Sequence, residues 1–377
     1  MVLTHDLVQD RVPNCSARLV DPLLRNKTRI KAEYIKLNIH RPKREIPRPW
    51  RYVRINPLLI SWEECTAKLE AAGFRYQTDV SDPNLMMTLE KVFIKDSDVE
   101  GLLIFPAGTD LSKLPLYRNG AIILQDKASC MPVAVLDPPQ GSVVLDACAA
   151  PGNKTTQLAA AVGKEGKVYA FERDCKRALV LESTLRKHSC DSIVRAECMD
   201  FLRTKPEEYS DVEYALVDPS CSGSGMLDDF EMSEESTSDT LELAQRLKSL
   251  SNFQCMIVRH AMNCKHSVYI HNASTISFIV PSVKKVVYST CSIHKEENEE
   301  VVKQILEAEG SRFRLVQNPL SSWSRRGLPE YEFSISMASL IIFSSVISNL
   351  GQDVIRADPA MDRMNGFFVA CFERLDG

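Results

Sequence analysis

SVVLDACAAPGNKTTQLAAAV, residues 142–162, runs from an apolar stretch through a turn of small residues into a segment of helical character. SVVLDA is short, apolar and β-branched, as a strand buried on both faces is. NKTTQLAAAV opens with Asn153, of a residue type that caps helices, and continues with good helix formers. Between the two, Ala149, Ala150 and Gly152 let the backbone approach a ligand, and the helix N-terminus leaves N–H groups without intrahelical partners.

The same rhythm continues outward. KVYAFE (167–172) reads as strand, CKRALVLESTLRKH (175–188) as helix, and SIVRAECMD (192–200) and VEYALVD (212–218) as strands. LELAQRLKSLSNFQCMIVRHAM (241–262) is a long helix, VKKVVYSTCS (283–292) a strand, KEENEEVVKQILEAE (295–309) a helix and GFFVACFERL (366–375) a last strand. Strands alternating with helices predict an α/β fold with a Rossmann-like, doubly wound parallel sheet over residues 121–377. Upstream, RYVRIN, then SWEECTAKLEAAGF with its Ser cap and terminal Gly73, and GLLIFPAG predict a small α/β domain over 50–120. Residues 1–49 are expected to form a basic helical arm.

The composition, 44% hydrophobic and 25% charged over 377 residues, is that of a globular chain and excludes a disordered or fibrous one. MVLTHDLVQDR at the start has no basic, apolar and small-residue series of a secretory signal, so an intracellular address is expected. The twelve cysteines form no C-x-x-C pair, so reduced thiols are expected and no metal. Residues 1–54 carry a net charge of +8 and the remainder −12. Tyr34, Trp50 and Tyr52 lie among the cations, a combination suited to single-stranded nucleic acid, although a solvated helix face explains the charge equally well.

Open parallel sheets bind ligands beyond the carboxyl ends of their strands, and the unusual residues fall there. Glu172 closes a strand 20 residues after Gly152, the spacing at which a carboxylate accepts hydrogen bonds from ribose hydroxyls. One glycine and a proline replace the G-x-G-x-x-G of dinucleotide sites, so a nucleoside ligand without a pyrophosphate, such as S-adenosylmethionine, fits better. Asp200 is a candidate for the adenine or amino-acid side, or an ordinary strand-end carboxylate.

DPSCSGSGM (218–226) and VVYSTCS (286–292) each place a cysteine just past a strand. A thiol suits methylation of a ring carbon: its thiolate adds to carbon 6 of cytosine and makes carbon 5 enamine-like, able to attack a sulfonium methyl. Asp218 can hydrogen-bond ring nitrogen 3 and the exocyclic amine. Which of Cys221 and Cys291 attacks is left open by this chemistry.

Four segments in order, DACAAPGNKT, DPSCSGSGM, YSTCSIHKEENEEVV and NGFFVACFER, resemble the motifs of the Sun/Fmu family of RNA (cytosine-5) methyltransferases. YVRIN and IILQDKASC extend the resemblance to about residue 50. It implies a class I methyltransferase fold, S-adenosylmethionine as cofactor, and RNA as substrate, with wording nearest the eukaryotic branch that acts on large-subunit ribosomal RNA or the pre-ribosome, in the nucleus and nucleolus. It also implies Cys291 as nucleophile and Cys221 as the residue assisting release of methylated RNA. Cys148, Ala149, Ala150, Pro151, Gly152, Asn153, Lys154, Glu172, Arg177 and Asp218 are implied to hold the cofactor, Glu172 standing where Asp is more usual. A monomer without membrane attachment is expected.

Two rival readings are a catalytically impaired RNA-binding or ribosome-assembly factor that keeps the fold, and DNA cytosine methylation, which the paired cysteines disfavour. Segments 263–279 and 334–350 interrupt the alternation. They are expected to be translated intron sequence or lineage-specific insertions, extruded as surface loops with no catalytic part.

Overall fold

A computed structural model describes residues 47–78, 90–226, 240–263, 265–268, 278–331 and 350–375. The N-terminal unit consists of β1 (Arg51–Ile55), α1 (Trp62–Ala71), β2 (Arg75–Tyr76), β3 (Val92–Lys95), β4 (Leu102–Phe105), α2 (Pro115–Arg118) and β5 (Ile122–Leu124). Its five strands run in the order β2-β3-β4-β1-β5. Ser61 Oγ accepts from Glu64 N at 3.1 Å to start α1, and Gly73, at φ +90°, follows its end. β5 pairs with β1, so this sheet runs to Leu124 and the expected boundary at 120 falls short.

The remainder contains α3 (Lys127–Leu136), β6 (Val143–Asp146), α4 (Asn153–Val162), β7 (Lys167–Phe171), α5 (Cys175–Lys187), β8 (Val194–Glu197), β9 (Tyr214–Val217), α6 (Thr240–Met262), β10 (Lys265–Val268), β11 (Phe278–Pro281), β12 (Lys285–Thr290), α7 (Glu299–Glu309), β13 (Phe313–Leu315), β14 (Val354–Ala357) and β15 (Phe367–Arg374). The main sheet is ordered β13-β15-β12-β9-β6-β7-β8, with β14 also pairing β15. β8, β7, β6, β9 and β12 are mutually parallel, and β15 is antiparallel to β12. The chain winds from β6 to β8 on one side and from β9 outward on the other, so a topological switch point lies between β6 and β9.

The period-two alternation of the strands divides their side chains between two cores. Val144, Val168 and Leu216 join α3, α4 and α5 on one face, while Leu145, Phe171 and Val217 join α6 and α7 on the other. The small sheet packs against the first core. Tyr52, expected to be available for base stacking, is 3% exposed and belongs to that core with Ala128 and Met131 of α3. It faces inward because its side of the small sheet packs against α3, while Val53 points to the opposite face. Trp50 is half-buried, and Tyr34 lies with the arm through residue 46 outside the described residues.

The segment at 263–279 contributes β10 and the first two residues of β11; the two strands pair with each other, Lys265 opposite Pro281, in a sheet of their own. Of 334–350, residues 334–349 lie outside the described residues. Leu350 corrects the expectation of a wholly extruded loop: it is 3% exposed and packs in the second core. Gly351 N donates to Tyr331 O at 3.3 Å, so the described residues on either side of this segment lie together. Among the described residues no helix is long and apolar enough to cross a membrane.

Candidate active site

The turn after β6 is shaped by Gly152, which sits at φ +110° immediately before α4. A Cβ there would also lie 3.0 Å from Thr184 Cγ2 and 3.1 Å from Leu181 Cδ1 of α5, so both conformation and space call for glycine. Asn153 is the first residue of the helix rather than its cap, and no side chain caps α4. Its carbonyl instead accepts from Arg54 Nη2 of β1 at 3.2 Å. Below the turn, Thr155 Oγ1 donates to Asp146 Oδ2 at 2.8 Å, and burial pushes the Asp146 carboxyl up to about 6.

At the carboxyl ends of β6, β7, β8, β9 and β12 lies a cavity of ≈ 310 Å³. Cys148, Ala150, Glu172, Arg177, Asp200, Asp218, Cys221 and Cys291 all line it, so eight of the expected residues come together from five strand ends. Ala149, Pro151, Gly152, Asn153 and Lys154 form the turn and helix start behind that lining. Glu172 Oε2 lies 3.2 Å from Arg177 Nη1, and Oε1 accepts from Asp174 N at 2.9 Å. Arg177 also donates to the carbonyl of Ala150 at 2.6 Å, tying the β7 end to the β6 turn. Asp200 Oδ1 accepts from Leu202 N at 3.0 Å, and Phe171, Phe201 and Ile257 supply apolar wall.

The two cysteine loops meet because β9 and β12 are neighbours. Cys221 Sγ lies 3.2 Å from Cys291 Sγ. The hydrogen bond with Cys291, followed by burial, pushes the Cys221 thiol well above its ordinary range. Gly225 N donates to Cys291 O at 2.9 Å and Gly366 N to Gly225 O at 2.8 Å. A Cβ on Gly225 would lie 2.3 Å from the Gly366 carbonyl oxygen, which explains a glycine at this close approach. Asp218 is held from two sides, by Lys154 Nζ at 2.8 Å from Oδ2 and by Ser289 Oγ, which donates to Oδ1 at 2.7 Å. A carboxylate oxygen has two lone pairs, so Asp218 keeps capacity to accept from a ligand amine.

Residues 133–373 match the family described as "16S rRNA methyltransferase RsmB/F", and residues 49–125 match "NOL1/NOP2/Sun domain family member 5, ferredoxin-like domain". The chain is 37% identical over 368 residues to a "28S rRNA (cytosine-C(5))-methyltransferase" of Mus musculus, covering 93% of this chain and 71% of that protein. The chain belongs to the Sun family of RNA (cytosine-5) methyltransferases. Family relatives include the "25S rRNA (cytosine-C(5))-methyltransferase rcm1" of Schizosaccharomyces pombe, 33% identical over 98% of this chain and 75% of that one. The Sun-family fold is seen in a solved methyltransferase homologue from Pyrococcus horikoshii, TM-score 0.62 at 20% identity, covering 92% of this chain and 90% of that one. "NSun6 from Pyrococcus horikoshii with SFG" has TM-score 0.57 at 18% identity, covering 93% and 95%.

This Sun-family site also uses residues that the sequence reading passed over. Glu297, fully buried, accepts through Oε1 from Ser222 N at 2.9 Å and from Gln254 Nε2 at 3.0 Å, fixing the loop after Cys221. Asn298 Nδ2 donates to Ser292 O at 2.9 Å and its Oδ1 accepts from Thr290 Oγ1 at 2.6 Å, fixing the loop of Cys291. Glu299 pairs with Arg356 of β14, whose Nη1 donates to Ile293 O at 3.0 Å. The expected single helix over 295–309 is accordingly broken: a short 3-10 turn, Lys295–Glu297, precedes α7. The signal was available in the Glu-Asn-Glu run that begins five residues behind the T-C-S motif.

Proposed function

We propose that the protein transfers a methyl group from S-adenosylmethionine to carbon 5 of a cytosine in large-subunit ribosomal RNA, through a covalent bond between Cys291 and carbon 6. The observation that carries this reading is the meeting of two thiols and a carboxylate, Cys221, Cys291 and Asp218, in the same cavity as Glu172. Relatives named for 28S, 26S and 25S rRNA, each matched over most of this chain, favour the large subunit over the 16S rRNA of the family description. A role in ribosome biogenesis, in the nucleus and nucleolus, follows from that substrate.

The cavity fits the cofactor in size and chemistry. Its volume is at the lower end of ordinary ligand sites, about 300–1,000 Å³. Glu172 offers acceptors for ribose hydroxyls, Phe171, Phe201 and Ile257 an apolar bed for a base, Asp200 a further acceptor, and α4 an uncapped N-terminus. S-adenosylmethionine, when bound, supplies an electrophilic methyl group. Glu172→Ala is expected to weaken its binding by about 1–3 kcal/mol in calorimetry, and unchanged affinity would remove Glu172 from the site.

Cys291, as thiolate, adds to carbon 6 of the target cytosine, and the electron pair of the 5,6 double bond moves towards carbon 5. Asp218, oriented by Lys154 and Ser289, accepts from the exocyclic amine and holds the ring. Carbon 5 takes the methyl group. Water takes the carbon 5 proton, the C–H electron pair restores the 5,6 double bond, and the Cys291–carbon 6 bond breaks with its pair on sulfur, which takes a proton from Cys221. Cys221, kept protonated by the same contact that brings it to Cys291, assists that release.

A segment that displaced the Cys291 strand would favour the reading as an impaired assembly factor. β12 nevertheless keeps its register with both neighbours, Val287 opposite Leu216 of β9 and Cys371 of β15. Bisulfite sequencing of large-subunit rRNA tests the proposal: one cytosine is expected to lose protection when the protein is removed and regain it with wild type but not Cys291→Ala. An unchanged pattern would contradict it.

A further inference from the structure

Cys175 and Cys198 are exposed thiols that the methyl transfer leaves unused. By contrast Cys65, Cys130, Cys190 and Cys371 are buried, and burial pushes each of these thiols up, which makes them inert packing. The Sγ atoms of Cys175 and Cys198 lie 2.6 Å apart. The fold puts them there. β7 and β8 pair in parallel with Phe171 opposite Glu197, so the chain leaves the sheet side by side at both points. Cys198 follows Glu197 directly, and Cys175 opens α5 behind Asp174.

The two thiols sit in different surroundings. Cys175 is the first residue of α5, whose N-terminal turn is capped by Asp174 Oδ1, accepting from Lys176 N at 2.8 Å and Arg177 N at 3.1 Å. Cys198 is pushed up to about 11 by burial and then by its hydrogen bond to Cys175, so it holds its proton. Two exposed thiols in direct sulfur contact, joined by two neighbouring strand ends, are placed to close a disulfide.

We propose that Cys175 and Cys198 are an oxidisable dithiol, which hydroperoxides convert to a reversible disulfide clipping the start of α5 to the end of β8. Cys175 thiolate attacks the peroxide oxygen, the O–O bond breaks, and a sulfenic acid forms as the alkoxide or hydroxide leaves and takes up a proton. Cys198 sulfur then attacks the sulfenic sulfur, the S–S bond forms and the sulfenic oxygen departs as water. Two thiols lose two electrons and two protons, and the hydroperoxide is reduced to water and an alcohol, or to two waters for hydrogen peroxide.

The clip spans a wall of the cavity, because Glu172 and Arg177 flank one thiol and Met199 and Asp200 the other. It goes beyond the methyl-transfer reading and stands on the sulfur geometry alone. Closing a covalent loop over residues 175–198 restricts the unfolded chain, so oxidation raises the thermal midpoint, by about 5 °C.

The test treats the full chain with a slight excess of hydrogen peroxide, alkylates free thiols, digests the protein and maps cross-linked peptides by mass. The expected product is a Cys175–Cys198 peptide pair two hydrogens lighter than the sum of its parts, reversed by dithiothreitol and absent from both Cys175→Ser and Cys198→Ser. The peroxide-dependent rise in thermal midpoint is expected in wild type and absent from either serine variant. A Cys221–Cys291 cross-link maps to a separate peptide pair and is told apart directly. Complete alkylation of both thiols after peroxide, sulfinic acid without a cross-link, or disulfide-linked dimers in place of the internal pair would overturn the proposal.

Discussion

Lys154, in the first turn of α4, and Asp218, at the end of β9, form an ion pair of 2.8 Å that joins the turn after β6 to the loop bearing Cys221. Burial works against the Lys154 ammonium, yet the Asp218 carboxylate holds its pKa above the ordinary value, so the lysine stays charged. Lys154 thus serves the carboxylate that the proposed mechanism uses to orient the target base. Lys154→Met keeps the apolar stem and removes the charge. Single-turnover methylation is expected to slow about 100-fold, or about 3 kcal/mol, with the dissociation constant for S-adenosylmethionine changing less than about threefold. A large loss of cofactor affinity at an unchanged rate would contradict this assignment.

Arg54 links the small domain to the same turn. It is 3% exposed and donates from Nε to Gln125 Oε1 at 2.9 Å and from Nη2 to Thr156 Oγ1 at 2.7 Å and Asn153 O at 3.2 Å. Its burial lowers the guanidinium pKa to about 10. Arg54→Ala leaves these acceptors without their donor and is expected to cost about 2 kcal/mol, read as a lower urea midpoint. Arg54→Lys restores only part of this, because an ammonium lacks the planar fork. A midpoint unchanged in both variants would show that the contact between the domains contributes nothing.

Asp146 makes stability depend on pH in a stated direction. Its carboxyl is raised by burial from 3.8 to about 6, so the folded state binds the proton more tightly than the unfolded chain. The stabilising contribution of that proton is whole below about pH 4 and is lost as pH rises through 6, a swing of about 3 kcal/mol. Asp146→Asn retains an acceptor for Thr155 and has no charge to bury. Its stability relative to wild type is expected to improve by about 3 kcal/mol between pH 4 and pH 7, measured by denaturant melts at both. A difference that stays constant with pH would rule out a raised Asp146.

The two irregular segments are expected to be dispensable. β10 and β11 pair only with each other among the described residues, and Gly351 N already bonds Tyr331 O across the base of the second segment. Deleting 264–281, and separately replacing 332–349 by a short glycine linker while keeping Leu350, is expected to preserve folding and methylation within about threefold, since changing the length of a connection whose ends are already together changes closure entropy only slightly. Cooperative unfolding lost in either deletion would show that the segment is part of the core.

Much of this site is legible from residues 142–162 outward, because each strand end carries its own unusual residue. Glu172, Asp200, Asp218 and both cysteines are found by asking what stands past the last apolar position of a strand. Their meeting is not legible that way. Cys221 and Cys291 touch because β9 and β12 are adjacent, and strand order is set by packing that periodicity does not report. α3 escaped the pattern for a related reason: it is buried on nearly every side and contains Pro132, so it shows no polar face. Glu297, Asn298 and Glu299 read as a charged helix surface, and only their partners explain their burial: Ser222 and Arg356, far off in sequence, and Ser292 in the turn just before them.

The division of labour between the two thiols is tested most directly by trapping the covalent intermediate. Wild type, Cys221→Ala and Cys291→Ala are each incubated with S-adenosylmethionine and large-subunit rRNA carrying the target cytosine, then separated under denaturing conditions. Cys221→Ala is expected to form a protein–RNA adduct that survives denaturation, because Cys291 adds to the base and release is impaired. Cys291→Ala is expected to form none and to transfer no methyl group. An adduct in Cys291→Ala would reverse the roles, and methylation by both variants without any adduct would contradict covalent catalysis altogether.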